Sequence, residues 1–595
     1  MPNFLQYSGV IIDILSMILG LFNGLPNVVH IKQLSFKRGF GLTMVLIGAL
    51  LFTKVSAQNL PLNMPVFQDY IRRQQLIDTT SGPLSFNVRP LYLDKVEDGK
   101  YEELMSSGKW GDVVKMDWFT LRLMPVQLTH TFNSAYPYGW GNGAAVPAKG
   151  QQILFNGGLH MQAGPVSIQL YPQYHYAQNL PFEEYPEDAP ITFFEFMERG
   201  VDGIDLPVRY GSGPINELLP GNSHVKVMFG GFAAGVSTEN IWWGPARYNP
   251  LMIGDNAAGF AHATLHTTKP VKTFLGHFEG QYVMGRLEGS GHSYYSDSAY
   301  SSVFKPIQED DWRYFTGITV SYSPKWLPGL SLGASRAFQI YRDDMGSGVR
   351  AWIPLLTPLP KDGEGVLENV LKREDQVLEF YFRWAIPEAH SEVYFEFMRN
   401  DHSLNWRETI LNPEHSRGYV IGASKYVPIS KGRFIGLSLE MTHTQNSINN
   451  IVKWTGAPNR GRGIYDNYQV IHGLTNRGQV LGAGLGRSGN IQLLEISHVD
   501  GLSKFGIQLE RYARDQNFYN YANSNGEQVA PWIDFALGGK YEDEIVEHLL
   551  LQAHVRFIKS MNYNFYAPYF NEKDGRYRGN AAYNLNTNLK VSYLF

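Results

Sequence analysis

The chain ends in Leu585-Asn-Thr587-Asn-Leu589-Lys-Val591-Ser-Tyr593-Leu-Phe595, and this stretch decides how the rest is read. Leu585, Thr587, Leu589, Val591, Tyr593 and Phe595 fall on one side of an extended chain. Asn586, Asn588, Lys590 and Ser592 fall mostly on the other. A soluble protein gains little from ending on Phe. The last strand of a membrane barrel does gain, because an aromatic end is a girdle residue that also closes the sheet.

The same two-residue period recurs upstream. Phe274, Gly276, Phe278, Gly280, Tyr282 and Met284 alternate with Leu275, His277, Glu279, Gln281 and Val283. Leu378, Phe380, Phe382 and Trp384 oppose Glu379, Tyr381 and Arg383. Val393, Phe395 and Phe397 oppose Glu392, Tyr394 and Glu396, and Ile435, Leu437, Leu439 and Met441 oppose Gly436, Ser438, Glu440 and Thr442. Strands of soluble sheets average roughly 5–6 residues. These runs are nearer ten, the length of a tilted membrane-crossing strand. Lipid offers no partner for a backbone N–H or C=O, so such strands must close into a barrel. The reading is an all-β, antiparallel transmembrane barrel in the outer membrane, with outer-membrane lipid around it, and the ending at Phe595 resembles the C-terminal signal that such barrels present to the barrel assembly machinery.

Composition agrees. Hydrophobic residues are 44% of 595, and the mean hydropathy of -0.24 is too polar for a bundle of membrane helices. Sixty glycines, 35 tyrosines and 34 phenylalanines suit a twisted sheet with an aromatic girdle. There is no cysteine, which excludes disulfides, thiol catalysis, Cys-type metal sites and a lipidated N-terminal cysteine. A net charge of -4 gives no basic footprint for nucleic acid.

Residues 1–57 read as a signal peptide. Lys32, Lys37 and Arg38 precede the apolar Phe40–Phe52 core, and Val55-Ser56-Ala57 supplies a small-residue cleavage site. Val10–Phe22 is a second apolar run that a signal does not need, which points to a start codon assigned too far upstream. Residues 58–114 form an N-terminal periplasmic helical segment. Within it 64–80 is an amphipathic helix with Val66, Tyr70, Ile71 and Gln74 on one face, and 93–108 has room for a second. The barrel takes 115–595.

Enzyme motifs do not survive their context. Gly484-Leu-Gly486-Arg-Ser-Gly489 matches a dinucleotide pattern, yet Ile491–His498 after it is strand-like, so a glycine-rich hairpin is expected. Gly329-Leu-Ser331-Leu-Gly333 matches a nucleophile elbow but sits inside an alternating strand. His262 and His266, four apart, would share a strand face as two solvated lumen histidines, and no H-E-x-x-H accompanies them. Glu392 and Glu396 imitate a glycosidase pair and read as a polar lumen face. No catalytic residues, metal site or cofactor are expected. Carbohydrate chemistry is the best remaining fit, because sugars take aromatic stacking together with Asp, Asn, Glu and Arg hydrogen bonds. Trp242, Trp243, Arg247, Asp255, Asn256, Glu396, Arg399, Asp401 and His402 are the candidate polysaccharide-binding residues. The competing assignment makes the tryptophans an interface girdle and the charged residues lumen ion pairs.

Several short motifs, taken in order, resemble the Wzi family of capsule-assembly proteins. They are Tyr70-Ile-Arg-Arg-Gln-Gln-Leu76, Ser85-Phe-Asn-Val-Arg89-Pro90, and Asn133-Ser-Ala-Tyr-Pro137-Tyr-Gly-Trp140-Gly-Asn-Gly143 running into Pro147-Ala-Lys-Gly150. Trp242-Trp243-Gly244-Pro245 with Asp255-Asn256-Ala257 follows, then Pro413-Glu414-His415-Ser416-Arg417 and Leu474–Gly482. The resemblance runs from about residue 66 to the end. It implies a barrel of about 18 strands with a small periplasmic helical element, and a lectin-like role in holding exported capsular or other surface polysaccharide. Asn142 stands where the family pattern leads one to expect Asp, so that turn is expected to differ. A diffusion channel for oligosaccharides is the alternative, and an outer-membrane lipase or glycosidase a third.

Overall fold

In the computed structural model, the residues described are those of 59–595 outside 78–83, 93–111, 187–188, 191–192, 195–196, 198–203, 297–310, 355–373, 401–410, 448–462 and a few single positions. The signal peptide and the second helix expected at 93–108 lie outside them.

Eighteen strands form one antiparallel barrel. They are β1 (Phe119–Asn133), β2 (Gly150–Ala163), β3 (Val166–Leu170 continued by Gln173–Ala177), β4 (Ile215–Leu219 continued by His224–Phe229), β5 (Phe232–Ser237), β6 (His262–Thr267, with Val271–Lys272), β7 (Gly276–Leu287), β8 (Arg313–Pro324) and β9 (Leu330–Tyr341). The circuit goes on through β10 (Glu374–Ile386), β11 (Ser391–Asn400), β12 (Arg417–Ser430), β13 (Arg433–His443), β14 (Asn490–Asp500), β15 (Ser503–Ala513), β16 (Ile533–Val546), β17 (Leu549–Met561) and β18 (Ala582–Tyr593). Pairing of β18 with β1, from Asn586↔Asn133 to Tyr593↔Val126, closes the ring. Closure leaves no edge whose backbone groups would face lipid unpaired.

The alternation read from sequence is the two faces of this wall. Phe380, Trp384, Val393, Leu437, Leu439, Leu585 and Leu589 are exposed outward, while Glu379, Arg383, Glu392, Glu396, Glu440, Asn584 and Asn586 are buried on the lumen side. Phe274 and Leu275 are an exception: they precede β7 and belong to its turn. At the C-terminus the Tyr593 and Phe595 rings meet edge-on at 5.2 Å, and Leu594 N–H donates to the His548 carbonyl.

Connections at one end are short, several of only two residues, as at 164–165, 230–231, 431–432 and 501–502. Those at the other end are long. In outer-membrane barrels the short turns face the periplasm and the long loops the outside. The lumen is filled. From the short-turn end α1 (Pro65–Ile77) and residues 84–92 enter it, and the 238–261 loop folds in to meet them, pairing Trp242–Trp243 with Val88–Arg89. The helix expected over 64–80 spans Pro65–Ile77 and is buried on more than its apolar face. Val66, Phe67 and Ile71 are buried, and so are Gln68, Arg72, Arg73 and Gln75, because the polar side of α1 packs on a polar lumen wall instead of facing water.

Candidate functional site

The lumen holds two distinct environments, and the residues singled out in the sequence lie mostly in the first. Glu392 on β11 has no exposed side-chain surface, and three guanidinium groups converge on it: Arg72 of α1 at 3.0 Å, Arg383 of β10 at 2.7 Å and Arg247 of the 238–261 loop at 2.9 Å. Arg247 also reaches Asp69 of α1. Asp69 receives Lys504 at 3.5 Å as well, and Glu495 binds both Lys504 and Lys540. Burial would push the Asp69 carboxyl up, but Lys504, Arg247 and Arg73 outweigh it and hold it below the usual carboxylate range. This chain of charges clamps helix, loop and wall together.

Two further carboxylates catch the loop backbone. Glu396 accepts N–H bonds from Ala246 at 2.7 Å and Leu251 at 2.9 Å. Glu440 accepts those of Arg247, Tyr248 and Asn249, together with the Tyr394 hydroxyl. Glycine is required at 244, where φ is +89° and a Cβ would stand 2.3 Å from the Glu396 carboxylate. Trp243 is fully buried and donates to Gln281 at 2.9 Å, so no face of its ring is open to a sugar. Trp242 is 8% exposed, with the Arg89 guanidinium over its ring at 4.2 Å. Neither tryptophan lies at the membrane interface. Glu392 and Glu396 share the lumen face, as the alternation requires, and each is engaged with protein groups.

Asp255 and Asn256 sit higher, beside the 134–149 loop. Asn256 accepts from Gly141 N–H at 3.2 Å and donates to Val480 O at 2.9 Å. Burial pushes the Asp255 carboxyl up to about 7, against the opposing pull of Lys590. Arg399 falls on the outward-facing parity of β11, opposite Arg417 of β12, and is not brought together with Glu396. Asp401 and His402 lie outside the described residues.

His262 and His266 are buried rather than solvated, at 4% and 5% exposure. His262 Nδ1 meets the Phe260 carbonyl at 2.7 Å, whereas His266 joins a network in which His160 and His224 both meet the Ser167 hydroxyl at 3.0 Å, and His224 Nδ1 meets Glu239 at 2.7 Å. Lys226 and Asn59 also bind Glu239, and the Tyr92 hydroxyl bridges Lys226 and His266. Ser167, His224 and Glu239 have the connectivity of a nucleophile relay, but Ser167 has no exposed surface and lines neither lumen cavity. The network fastens Asn59 and Tyr92, which flank α1, to the wall.

The second environment is at the long-loop end. Seven loops there enclose a cavity of about 260 Å³, close to the lower end of the roughly 300–1,000 Å³ usual for ligand sites. Aromatic rings dominate it. Trp532 packs on Tyr563 at 4.9 Å and on Phe565 at 5.4 Å, and Tyr294 on Tyr295 at 4.8 Å. Arg514, held by Asp534 at 2.6 Å, lies 4.7 Å from the centres of both Trp532 and Tyr512. Asp515 caps α2 (Gln516–Ser524) through Phe518 N–H at 3.2 Å and also takes Arg487. Burial pushes the Tyr294 hydroxyl up to about 12, so it stays a neutral donor across the physiological range. Rings plus neutral and ion-paired polar groups suit an uncharged or weakly charged polyhydroxy ligand.

Sequence reading missed this cavity, apart from Asn256 and the Tyr138-Gly-Trp140 turn within a family motif. One signal was present: Gly484–Gly489, expected to be a hairpin, is a loop lining the cavity, and a Cβ on Gly484 would strike Trp140 and Asn256 at 2.4 and 2.3 Å. The Tyr294-Tyr295 doublet in a polar loop was another. Ser331, as expected, is a strand residue; it accepts from Asn87 at 3.1 Å.

Among solved structures the chain is similar to Wzi from Escherichia coli, described as an outer membrane protein involved in group 1 capsule assembly and a carbohydrate-binding β-barrel. Identity is 12% over 91% of this chain and 100% of that one, with a TM-score of 0.54. Weaker similarities include a BenF-like porin from Pseudomonas fluorescens Pf-5 (8% identity, 80% and 98% covered, TM-score 0.34) and OprD from Pseudomonas aeruginosa (9%, 82% and 97%, 0.34). A comparison with curated proteins gave no match. Residues 148–536 match the model of the family described as capsule assembly protein Wzi, two thirds of the chain. With an 18-strand barrel whose lumen is filled from both ends, this protein belongs to the Wzi family of outer-membrane capsule assembly proteins.

Proposed function

We propose that the protein is a non-catalytic lectin that holds exported capsular polysaccharide at the cell surface through the aromatic cavity of its long-loop end. The observation carrying this is the cavity itself: several rings and a few fixed polar groups, gathered from seven loops on the side that faces outward. The similar Escherichia coli barrel is described as carbohydrate-binding, which supports the same reading. Trp242, Arg247 and Asp255 line a deeper cavity; in this reading they support the site from below, while Trp243 and Glu396 fix the loop that carries them. Outward-facing residues meet outer-membrane lipid, and Phe595 presents the last strand to the assembly machinery.

The test is a polysaccharide pull-down with the detergent-solubilised protein. The parent should retain capsular polymer, and Trp532→Ala with Tyr294→Ala should release it. Retention unchanged in the double variant would retire the cavity. A deletion strain that kept its whole capsule, with none shed, would retire the role.

A diffusion channel is disfavoured by one observation: α1, residues 84–92 and the 238–261 loop occupy the lumen and are ion-paired to its wall. Planar bilayers should therefore stay silent with the parent protein, whereas steady open pores would favour the channel.

A further inference from the structure

The outward face of the wall changes character where β11 to β17 reach the long-loop end. Arg399 is the penultimate residue of β11, Arg417 opens β12, and Arg511 and Lys559 lie just inside the ends of β15 and β17. Alternation puts them on the face that carries Phe397, Ile421, Leu509 and Phe557 a step or two nearer the middle of the wall. Arg399 and Arg417 are direct cross-strand partners. Arg511 and Lys559 both partner Phe535 of β16, one from either side.

Uncharged groups orient two of these cations. Arg417 donates to the Gln445 carbonyl at 3.3 Å and to the His443 ring at 3.1 Å, and Arg511 donates to the side-chain oxygens of Asn490 and Gln492 at 3.1 and 2.9 Å. The Lys559 ammonium lies 6.0 Å from the centre of the Tyr583 ring. Among the described residues, the outward positions of β11 to β17 toward this end hold no carboxylate.

Two comparisons within the barrel set the cluster apart. At the short-turn end the outward face of the same strands carries both signs: Arg433 pairs with Asp500 at 2.9 Å, and Asp543 accepts the Tyr541 hydroxyl at 3.0 Å. Farther round the ring, the long-loop ends of β1 to β4 present Phe132, Gln151, Tyr176 and Asn216 outward, with no Lys or Arg among the described residues. Cations that merely reached from a lipid-facing wall toward water would be spread round the ring and over both ends. These are gathered on one side of one end.

Cations set this close repel one another, and an anion from the surroundings relieves that. At the headgroup level of a bilayer the available anion is a lipid phosphate, whose oxygens the guanidinium fork takes two at a time. The apolar side chains beneath then meet the acyl chains of the same lipid. β12 and β15 stand three strand spacings apart, roughly 14 Å, so one phosphate cannot serve both groups of cations. We propose that this face binds an outer-leaflet lipid whose headgroup carries two phosphates, Arg399 with Arg417 taking one and Arg511 with Lys559 the other. Such a face needs the strands to meet lipid and the long loops to point outward; it does not need the lectin reading.

The experiment is native mass spectrometry of the full detergent-solubilised protein titrated with lipid A bearing both phosphates. Its monophosphoryl form, phosphatidylglycerol and inorganic phosphate are the comparison probes. The bisphosphorylated lipid should bind at least tenfold more tightly than either other lipid, and an equal concentration of inorganic phosphate should not displace it. Arg511→Gln with Lys559→Gln should lower its binding to the monophosphoryl level, whereas Arg433→Gln, at the opposite end, should leave it unchanged. Heat-modifiable gel mobility verifies that each variant has formed its barrel, and the lipid comparison in the parent is decisive even where a variant does not fold. Equal binding of either other lipid, displacement by inorganic phosphate, undiminished binding in the folded double variant, or an equal loss in Arg433→Gln would each overturn the proposal. Polymer retained without selective lipid binding retires this face alone; polymer released while the lipid still binds selectively retires the outer cavity alone.

Discussion

The short-turn end and the long-loop end of the lumen are filled by different chemistry. At the first, Arg72, Arg247 and Arg383 share the Glu392 carboxylate with side chains 0–7% exposed. At the second, Trp532, Tyr563, Tyr294 and Tyr295 surround a space with few charges, each already paired. Removing one partner from a buried charge group leaves its neighbours stranded, which fixes geometry strongly but leaves nothing to offer a ligand. Aromatic rings keep their faces usable after packing edge-on, so they can hold a fold and a ligand together. The ends thus divide the labour: one locates the plug, and the binding site we propose lies at the other.

The largest effect should come from breaking the clamp. Glu392→Ala strands three guanidinium groups and should cost about 3–5 kcal/mol, read as a lower temperature of the heat-modifiable shift. Freed from its wall, α1 should also let current through bilayers in which the parent is silent. A variant as stable and as silent as the parent would show that the clamp fixes nothing.

Trp532→Ala acts at the other end. It should weaken polymer retention by roughly tenfold, about 1.4 kcal/mol, without opening a current. If it opened the lumen, the division between the ends would fail.

Asp255 lies between the two, and its effect should be smallest. Its carboxyl is raised in the folded protein to about 7 from an ordinary 3.8, so the native state binds the extra proton. The stability it supports is complete below about pH 4 and is lost as pH rises through about 7. Asp255→Asn should therefore raise the unfolding temperature at pH 8 and leave it nearly unchanged at pH 4. A gain equal at both pH values would mean that the carboxyl is not held protonated.

The strand faces of β10, β11, β13 and β18 were legible because a two-residue period has one geometric meaning: side chains alternate across a sheet, and lipid demands one apolar face. The C-terminal stripe was legible for the same reason. The aromatic cavity was not. Trp532, Tyr294, Tyr563 and Trp140 come from four separate loops, up to 423 positions apart, and no local pattern records that loops converge. The Trp242-Trp243 pair was visible as a motif, yet its depth was not, since an indole pair has the same sequence on a girdle as inside a lumen.

Sequence by itself therefore determined the barrel, its outward and inward faces and a family resemblance, because these depend on periodicity and on short contiguous motifs. Only tertiary structure decided that Glu392 gathers three arginines, that α1 is buried on its polar side, and that an aromatic cavity stands over a charged chamber. The physical reason is that a closed ring of strands brings distant residues across one lumen, and the energy of buried charges and stacked rings depends on that approach rather than on separation along the chain.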